Sequence, residues 1–283
     1  MPVGFVDMEL SAPKGEKLIG FAKALEFNTL TKRLAERYGW AVDDFEASAA
    51  LAADEPPPAP KTFSDRAYRA LPAEMAALDT DTYLCVTEAE QLAAFIARAY
   101  DTGMVAIDTE TDGLDAMQCR LVGISLAVVP GEAAYMPLAH SAGDGLALED
   151  ETPPQIDEAV ALTMLKPLLA DPSVKKILQN AKFDLQILER YGLTLCAYED
   201  TMLMSYSLDA GNHGHGMDAL AQKYLGHTPI PIKELLGSGK SQITFDQVPI
   251  DKATAYAAED ADVTLRLYKQ LQPRLLADHM VGV

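Results

Sequence analysis

Two carboxylates stand at the end of a short apolar stretch and are the first residues whose types and spacing could support chemistry. Residues 104–108 (Met-Val-Ala-Ile-Asp) predict a buried strand that ends at Asp108, and Glu110 follows two positions later. Side chains two apart on a strand point to the same side, so these carboxylates are expected to lie together. Their repulsion is costly unless a proton or a cation neutralises it, and Mg²⁺ or Mn²⁺ prefers oxygen ligands. Taken alone, the pattern also fits a solvated acidic loop.

A third acid, Asp184, follows a later predicted strand. Residues 175–178 predict that strand, and Gln-Asn-Ala-Lys-Phe-Asp at 179–184 opens a predicted helix over 181–191. Asp184 therefore falls in the first turn of the helix, where the helix dipole favours a carboxylate. That preference alone would explain an acid at this position without any catalytic role.

A tyrosine and an acid lie four residues apart in the last predicted helix. Tyr256 and Asp260 therefore share one helix face. An acid beside a phenol suits a site in which the acid holds a metal and the phenol orients water. The alternative is a half-buried core tyrosine beside a surface charge. Glu259 and Asp262 fall on other sides of the helix, and we predict that they are solvated.

These residues must be positioned by an α/β domain that begins near Tyr83. A helix over 87–100 is predicted to start with Thr87 as its N-cap. Strands are predicted over 104–108, 120–129, 133–138 and 175–178, and short connections make the first three antiparallel neighbours. Further helices are predicted near 155–170, 181–191, 200–208, 217–225 and 250–276. This order predicts a mixed sheet with helices on both faces.

The first 80 residues are expected to lie outside this domain. Residues 14–39 place apolar side chains at helical spacing and predict a helical segment. Residues 41–62 are predicted to form a linker, because 47–53 is alanine-rich and 54–60 (Asp-Glu-Pro-Pro-Pro-Ala-Pro) cannot form a regular element. A polar lead-in follows over 63–80.

Composition argues against a membrane protein and a secreted protein, and it bears on whether the chain can bind nucleic acid. The 283 residues contain no apolar stretch of 18 or more and no basic start followed by an apolar core, so we expect a cytoplasmic protein without a membrane partner. A net charge of −19 argues against nucleic acid, unless carboxylate-bound cations mediate the contact. A local basic rim could also help, built from Lys175, Lys176, Lys182, Lys233, Lys240 and Arg266.

Together and in this order, the three acidic segments resemble the motifs of the DEDD exonuclease superfamily, in its tyrosine-bearing branch. The resemblance covers roughly residues 83–276 and is nearest to the 3′–5′ exonuclease (proofreading) domain of bacterial DNA polymerase I. It is carried by 108–115, 179–184 and 256–264, and by Ser-Gln-Ile-Thr-Phe at 241–245. The family's ribonuclease H-like fold is then the expected architecture, preceded here by a short helical segment and a linker.

The resemblance also implies a role for each matching residue. Asp108, Glu110, Asp184 and Asp260 would bind two divalent cations, Mg²⁺ or Mn²⁺, and Tyr256 would orient the attacking water. Leu114 and Phe245 would wedge against the terminal bases, and Thr109 and Asn180 would contact the terminal nucleotide. All five catalytic groups are present, which does not suggest an inactive copy.

The implied function is hydrolysis of DNA from its 3′ end to nucleoside 5′-monophosphates, acting on single-stranded or frayed ends. Residues 16–38 resemble the tail of a 5′-nuclease domain, giving an expected division into 1–40, a linker over 41–80, and the exonuclease domain over 81–283. A polymerase domain is expected downstream, so that the chain would be a fragment. The alternatives are an RNA 3′-exonuclease of the ribonuclease D type and a catalytically silent module that binds DNA or spaces its neighbours.

Overall fold

The computed structural model describes residues 13–48, 75, 77–141 and 153–280, with two compact units that divide between Leu71 and Pro72. Most of the predicted linker and lead-in, including the proline-rich stretch 54–60, lies outside the described residues. Within the described residues, no helix is both long and apolar enough to cross a membrane.

The described residues of the first unit, 13–48, form two α-helices rather than one continuous helical segment. Helix α1 spans Gly15–Ala24 and helix α2 spans Asn28–Tyr38. The predicted segment 14–39 breaks because Glu26 adopts a left-handed conformation, with φ of 56°, which an α-helix cannot accommodate. Gly39 ends α2 in the same region of backbone space, as glycine does at many helix ends. A short 3₁₀ turn at Val42–Asp44 follows in the predicted linker.

The second unit is built on a six-stranded mixed sheet in the order β1-β4-β3-β2-β5-β6. The strands are β1 Leu84–Cys85, β2 Met104–Thr111, β3 Leu121–Val129, β4 Glu132–Pro137, β5 Lys175–Leu178 and β6 Tyr198–Asp200. Strands β2, β3 and β4 are antiparallel neighbours, as predicted, and β5 pairs in parallel with β2. The outer strands β1 and β6 were not predicted, because segments of two and three residues show no alternation.

Seven helices of the described residues accompany this sheet. They are α3 Ala89–Thr102, α4 Glu158–Ala170, α5 Ala181–Arg190, α6 Thr201–Asp209, α7 Met217–Leu225, α8 Ile232–Leu236 and α9 Ile250–Ala277. The predicted N-cap Thr87 is wrong. The cap is Glu88, whose side chain and that of Gln91 complete a reciprocal capping box.

The helices cover both faces of the sheet, as the sequence predicts. Along β2, Val105 and Ile107 enter a core shared with α3, α4 and α5. Ala106, between them, belongs to the opposite core, which is shared with α6, α7 and α9. Because side chains alternate between the two faces along β2, this alternation determines which helices face the side chains at the end of the strand.

Two acids of α9 that were predicted to be solvated are buried. Glu259 is 1% exposed and pairs with His227, whose Nε2 lies 2.8 Å from the Glu259 carboxylate. Asp262 is fully buried and accepts hydrogen bonds from the Tyr83 hydroxyl at 2.8 Å and from Arg266 Nε at 3.0 Å. The prediction failed because α9 packs against the sheet and other segments on several sides, so that faces away from Asp260 also meet protein.

Candidate active site

The last residues of β2 divide between the two faces of the sheet. Asp108 and Glu110 continue the side of Ala106 and therefore face α9, whereas Thr109 continues the side of Ile107. Strand β5 runs parallel to β2, so its carboxyl end lies at the same edge of the sheet. This edge is where the sequence places the motif over 179–184.

Three of the predicted acids come together where β2 meets α9. Carboxylate oxygens of Asp108, Glu110 and Asp260 lie within 4.8 Å of one another. Glu110 and Asp260 are 8% and 7% exposed, and Asp108 is half-buried. Glu110 Oε1 is buried and accepts no hydrogen bond from the described residues. A buried, unpaired carboxylate oxygen beside two more carboxylates is the donor set of a hard divalent cation, so these residues fit the implied metal.

The fourth acid, Asp184, reaches β2 from the other side. It lies in the first turn of α5 and is 2% exposed. Its Oδ1 accepts a hydrogen bond of 2.6 Å from the Thr109 hydroxyl and one of 3.1 Å from the Thr109 backbone N–H. Thr109 thus holds Asp184 against the strand that carries Asp108 and Glu110, and its own hydroxyl is occupied in doing so.

Burial makes all four acids reluctant to ionise, and repulsion from the other acids of the cluster adds to this effect at Asp108 and Glu110. Burial raises the pKa of Asp108 well above its ordinary value, and the charges of Asp184, Glu110 and Asp260 raise it further. Burial likewise raises the pKa of Glu110. Burial raises the pKa of Asp184 to about 7 despite the opposing hydrogen bonds from Thr109. It also raises the pKa of Asp260 to about 8, although the neighbouring Tyr256 hydroxyl acts in the opposite direction.

Tyr256 stands beside this cluster as a neutral phenol. Burial raises its pKa far above the ordinary value, and the charges of Asp260, Glu110 and Asp108 add to the effect. The hydroxyl therefore keeps its proton and can donate a hydrogen bond. Its ring lies 5.9 Å from that of Phe245, centroid to centroid. The structure thus brings Tyr256 to the acids, as the helical spacing from Asp260 predicts.

The four residues predicted to contact substrate occupy different environments. Leu114 is 96% exposed, on the loop between β2 and β3. Phe245 is 3% exposed and packs with Tyr135, Val248 and Tyr256, so its ring supports the site from within the protein. Thr109 faces Asp184, and half-buried Asn180 takes a left-handed conformation immediately before α5. Their contacts with substrate stay predictions.

One residue that positions the site was not predicted from the sequence. Asp200 ends β6 and accepts hydrogen bonds from the backbone N–H groups of Asn180 (3.1 Å), Ala181 (2.9 Å) and Met202 (2.8 Å). It therefore caps α6 and also fixes the start of α5, the helix that carries Asp184. The signal was available in part, because an aspartate before a helical stretch is a typical N-cap. Its second role, at the start of α5, could be recognised only from the three-dimensional structure.

The proposed basic rim is smaller than the sequence suggests. Lys176 is fully buried, and its ammonium group donates to the carbonyl oxygens of Asp171 at 2.6 Å and Val174 at 2.8 Å. Arg266 is 3% exposed and bonded to Asp262. Lys182 is exposed in the first turn of α5, two positions before Asp184.

Comparisons with known proteins identify the family of this chain. The profile of the 3′–5′ exonuclease family matches residues 83–276. A DNA polymerase I from Rhizobium leguminosarum is 42% identical over 98% of this chain, and one from Pseudomonas aeruginosa is 46% identical over 65% of it. The chain spans 33% of the length of the first relative and the match spans 20% of the second.

Solved structures confirm the expected fold. The catalytic core of RRP6 from Trypanosoma brucei has a TM-score of 0.55 at 17% identity, covering 75% of this chain and 52% of that one. RNase D from Escherichia coli has a TM-score of 0.52 at 20% identity, covering 70% of this chain and 46% of that one. At these identities the likeness shows the ribonuclease H-like architecture alone. By its sequence profile and its relatives, the chain belongs to the 3′–5′ exonuclease family found in bacterial DNA polymerase I.

Proposed function

We propose that this site removes nucleotides one at a time from the 3′ end of DNA, in a reaction that depends on divalent cations. The observation that carries the proposal is the meeting of Asp108, Glu110, Asp184, Asp260 and Tyr256 at the carboxyl end of β2. Four buried or half-buried carboxylates with raised pKa values destabilise the protein unless protons or cations neutralise their charge. Such a group of residues is explained more readily by catalysis than by folding.

The carboxylates are proposed to hold two cations, Mg²⁺ or Mn²⁺. Asp108, Glu110 and Asp260 would supply one set of oxygen ligands, and Asp184 would contribute from the α5 side. When bound, such cations activate a water molecule and stabilise the leaving 3′-oxygen of the scissile phosphodiester. The unpaired Oε1 of Glu110 and the proximity of the three acids support this assignment.

The chain's own groups are proposed to supply the rest of the mechanism. Tyr256, kept protonated by burial, is proposed to orient the attacking water through its hydroxyl. Phe245 packs against the Tyr256 ring and restricts its position. Thr109 holds Asp184 in register with β2 through two hydrogen bonds. The product would be a nucleoside 5′-monophosphate.

The proposed substrate is a single-stranded or frayed 3′ end. Leu114 projects almost fully into solvent from the loop after β2, and an exposed apolar side chain there can contact an unpaired base. A mismatched end frays more readily than a paired one, which would give proofreading selectivity. The match of 112–115 and 241–245 to the polymerase-type domain supports DNA rather than RNA as the substrate.

The relatives suggest the setting of this activity. Both are DNA polymerase I proteins, and the chain matches about a third of the first. We propose that the chain is the proofreading part of such a protein and acts beside a polymerase domain. Primer ends would then be corrected before synthesis continues.

The direct test uses two oligonucleotides of one sequence, one of DNA and one of RNA, each labelled at the 5′ end. With Mg²⁺ or Mn²⁺ the protein should shorten the DNA in a ladder from its 3′ end and act more slowly on the RNA. EDTA should stop the reaction. The Asp108→Asn variant, prepared in parallel, should be inactive and so exclude a contaminating nuclease.

Each other outcome points to a different function. Immediate release of the label as a mononucleotide would contradict 3′–5′ directionality. Faster shortening of the RNA would favour the ribonuclease D-type alternative. Binding of DNA without shortening in either metal would favour the silent module.

A further inference from the structure

Arg120 lies at the end of the loop that carries Leu114, immediately before β3. Its backbone N–H donates to Asp112 Oδ1 at 2.7 Å, and its Nε donates to Asp112 Oδ2 at 2.9 Å. The Asp112 N–H donates in return to the Arg120 carbonyl oxygen at 3.2 Å. Arg120 therefore closes the base of the loop that presents Leu114.

Other contacts give this loop a defined shape of its own. Arg190 Nη1 donates to the carbonyl oxygens of Ala116 and Cys119, each at 2.7 Å. Asp115 accepts from the backbone N–H of Met117 at 3.0 Å and from the side chain of Gln118 at 2.8 Å. Because Arg190 ends α5, its bonds attach the later part of the loop to that helix, and the contact between Arg120 and Asp112 attaches the loop at its base.

The guanidinium of Arg120 also reaches a second segment, the one that contains Phe245. Its Nη2 lies 3.6 Å from Asp246 Oδ2, and Asp246 follows Phe245 directly. Ser141 fixes the same segment, since its N–H donates to the Asp246 carbonyl oxygen at 2.8 Å and its hydroxyl donates to Asp246 Oδ2 at 3.0 Å. Phe245 in turn packs on Tyr256.

Asp246 is the shielded partner of this ion pair, whereas the side chain of Arg120 is 60% exposed. Asp246 is 7% exposed, and its Oδ1 is buried without a hydrogen-bond partner among the described residues. At 3.6 Å the contact with Arg120 is an ion pair rather than a hydrogen bond. A buried carboxylate that loses its counter-charge is strongly disfavoured, so removal of Arg120 is expected to disturb the segment around Phe245.

We propose that Arg120 is a positioning residue that holds the Leu114 loop and the Phe245 segment in fixed relation. The inference rests on the proposed function, in which Leu114 contacts an unpaired base and Phe245 restricts the position of Tyr256. Arg120 acts through Asp112 and Asp246 and does not touch the reacting atoms. A planar guanidinium can address two carboxylates at once, whereas a lysine ammonium is a point charge.

The test compares Arg120→Met with Arg98→Met in the full chain. Arg98 is a suitable control because it forms a two-bond ion pair with Glu132, at 3.0 and 2.9 Å, in the same unit. Hydrogen exchange should rise over 112–119 and over 241–247 in Arg120→Met and stay unchanged there in Arg98→Met. The KM for a single strand should rise roughly fivefold with kcat within about twofold, the size of effect typical of partly exposed ion pairs.

Two further measurements separate positioning from direct contact with DNA. Asp246→Asn should reproduce the KM effect, and adding Arg120→Met to it should change little more, because both remove one interaction. The slope of log affinity against log salt should be the same for Arg120→Met and the parent protein. A slope reduced by about 1 would show that Arg120 binds a phosphate and would overturn the proposal.

The exchange measurement keeps this inference apart from the proposed function. A parent protein that degrades no nucleic acid with metal would contradict the proposed function, while exchange in the two segments would still decide whether Arg120 joins them. Unchanged exchange over both segments in Arg120→Met would overturn the inference even if the parent protein is an active exonuclease.

Discussion

At the scale of single residues, the carboxylates of the site oppose folding. Asp108, Glu110 and Asp260 bring like charges within 4.8 Å in a largely buried environment. Thr109 offsets part of this cost for Asp184 through two hydrogen bonds, but no described residue donates to Glu110 Oε1. The arrangement is therefore suited to binding a cation. Substitution of its residues should affect stability and activity in different ways.

The first prediction concerns Asp108. In the absence of metal, Asp108→Asn should raise the free energy of unfolding, because it removes one of the repelling charges. Exonuclease activity should nearly vanish. Thermal unfolding in EDTA and a single-turnover assay with Mg²⁺ would measure the two effects.

Asp101→Asn is the matched control for that substitution. The Asp101 side chain is 71% exposed, and its one ion pair within the described part of the chain is a long contact with Arg98, at 3.9 Å, so neither quantity should change. If Asp108→Asn lost stability and activity together, Asp108 would be a structural residue rather than a metal ligand.

The second prediction concerns the hydroxyl of Tyr256. Tyr256→Phe keeps the ring that packs on Phe245 but removes the group proposed to orient water. Turnover should fall by roughly 10²–10⁴-fold, the range typical of assisted proton transfer, while metal affinity and DNA binding stay nearly unchanged. Single-turnover rates and metal titrations would measure these quantities. A fully active variant would show that Tyr256 is a core residue and would leave the carboxylates as the candidate site.

At the scale of elements, the periodicity of apolar residues predicted most of the strands and helices. The strands β2 to β5 and the helices α3 to α9, apart from short α8, appear close to their predicted bounds. The pairing of Tyr256 with Asp260 was predictable from helical spacing alone. Burial of Glu259 and Asp262 could not be predicted in this way, because their partners His227 and Tyr83 lie far away in the sequence.

The third prediction tests an element that the sequence did not reveal as part of the site. Asp200→Ala removes the acceptor that caps α6 and fixes the start of α5. It should cost about 1–2 kcal/mol of stability and also reduce activity, since α5 carries Asp184. Thermal unfolding and kcat/KM would be measured together.

An ordinary helix cap supplies the control for this prediction. Asp157 accepts from the Val160 N–H at 2.9 Å at the start of α4, which carries none of the proposed site residues. Asp157→Ala should cost similar stability with little loss of activity below the melting temperature. Equal effects of the two substitutions on activity would mean that Asp200 acts only through global stability.

At the scale of the whole molecule, the net charge of −19 poses a question that the site helps to answer. Several of the excess acids are concentrated at Asp108, Glu110, Asp184 and Asp260, where two bound divalent cations would neutralise the local negative charge. Two of the residues proposed as a basic rim, a lysine and an arginine, are instead buried and bonded within the protein. Contact with a polyanion should therefore depend on divalent metal more than on surface lysines.

Metal binding and protonation compete, because both would occur at the carboxylates of the site. The pKa of Asp184 is raised to about 7 and that of Asp260 to about 8, from ordinary values near 4. The folded protein therefore binds more protons than the unfolded chain between about pH 4 and pH 8. Stability contributed by these two acids is greatest at low pH and is lost as the pH rises through this window.

The fourth prediction follows from this loss of stability as the pH rises. Without metal, the Tm should rise as the pH falls from 8 to 6, with a gain on the order of 1 kcal/mol per pH unit for each of the two acids. Saturating Mg²⁺ should flatten this dependence, because it binds the ionised acids and releases their protons. Calorimetry in two buffers of different ionisation enthalpy would count the protons released. The double variant Asp184→Asn/Asp260→Asn should weaken this pH dependence in EDTA, and what remains belongs to Asp108 and Glu110, whose pKa values are also raised. A metal-free Tm that falls between pH 8 and 6 would mean that the acids are already ionised and stabilised by protein groups, and the cluster would then need no cation.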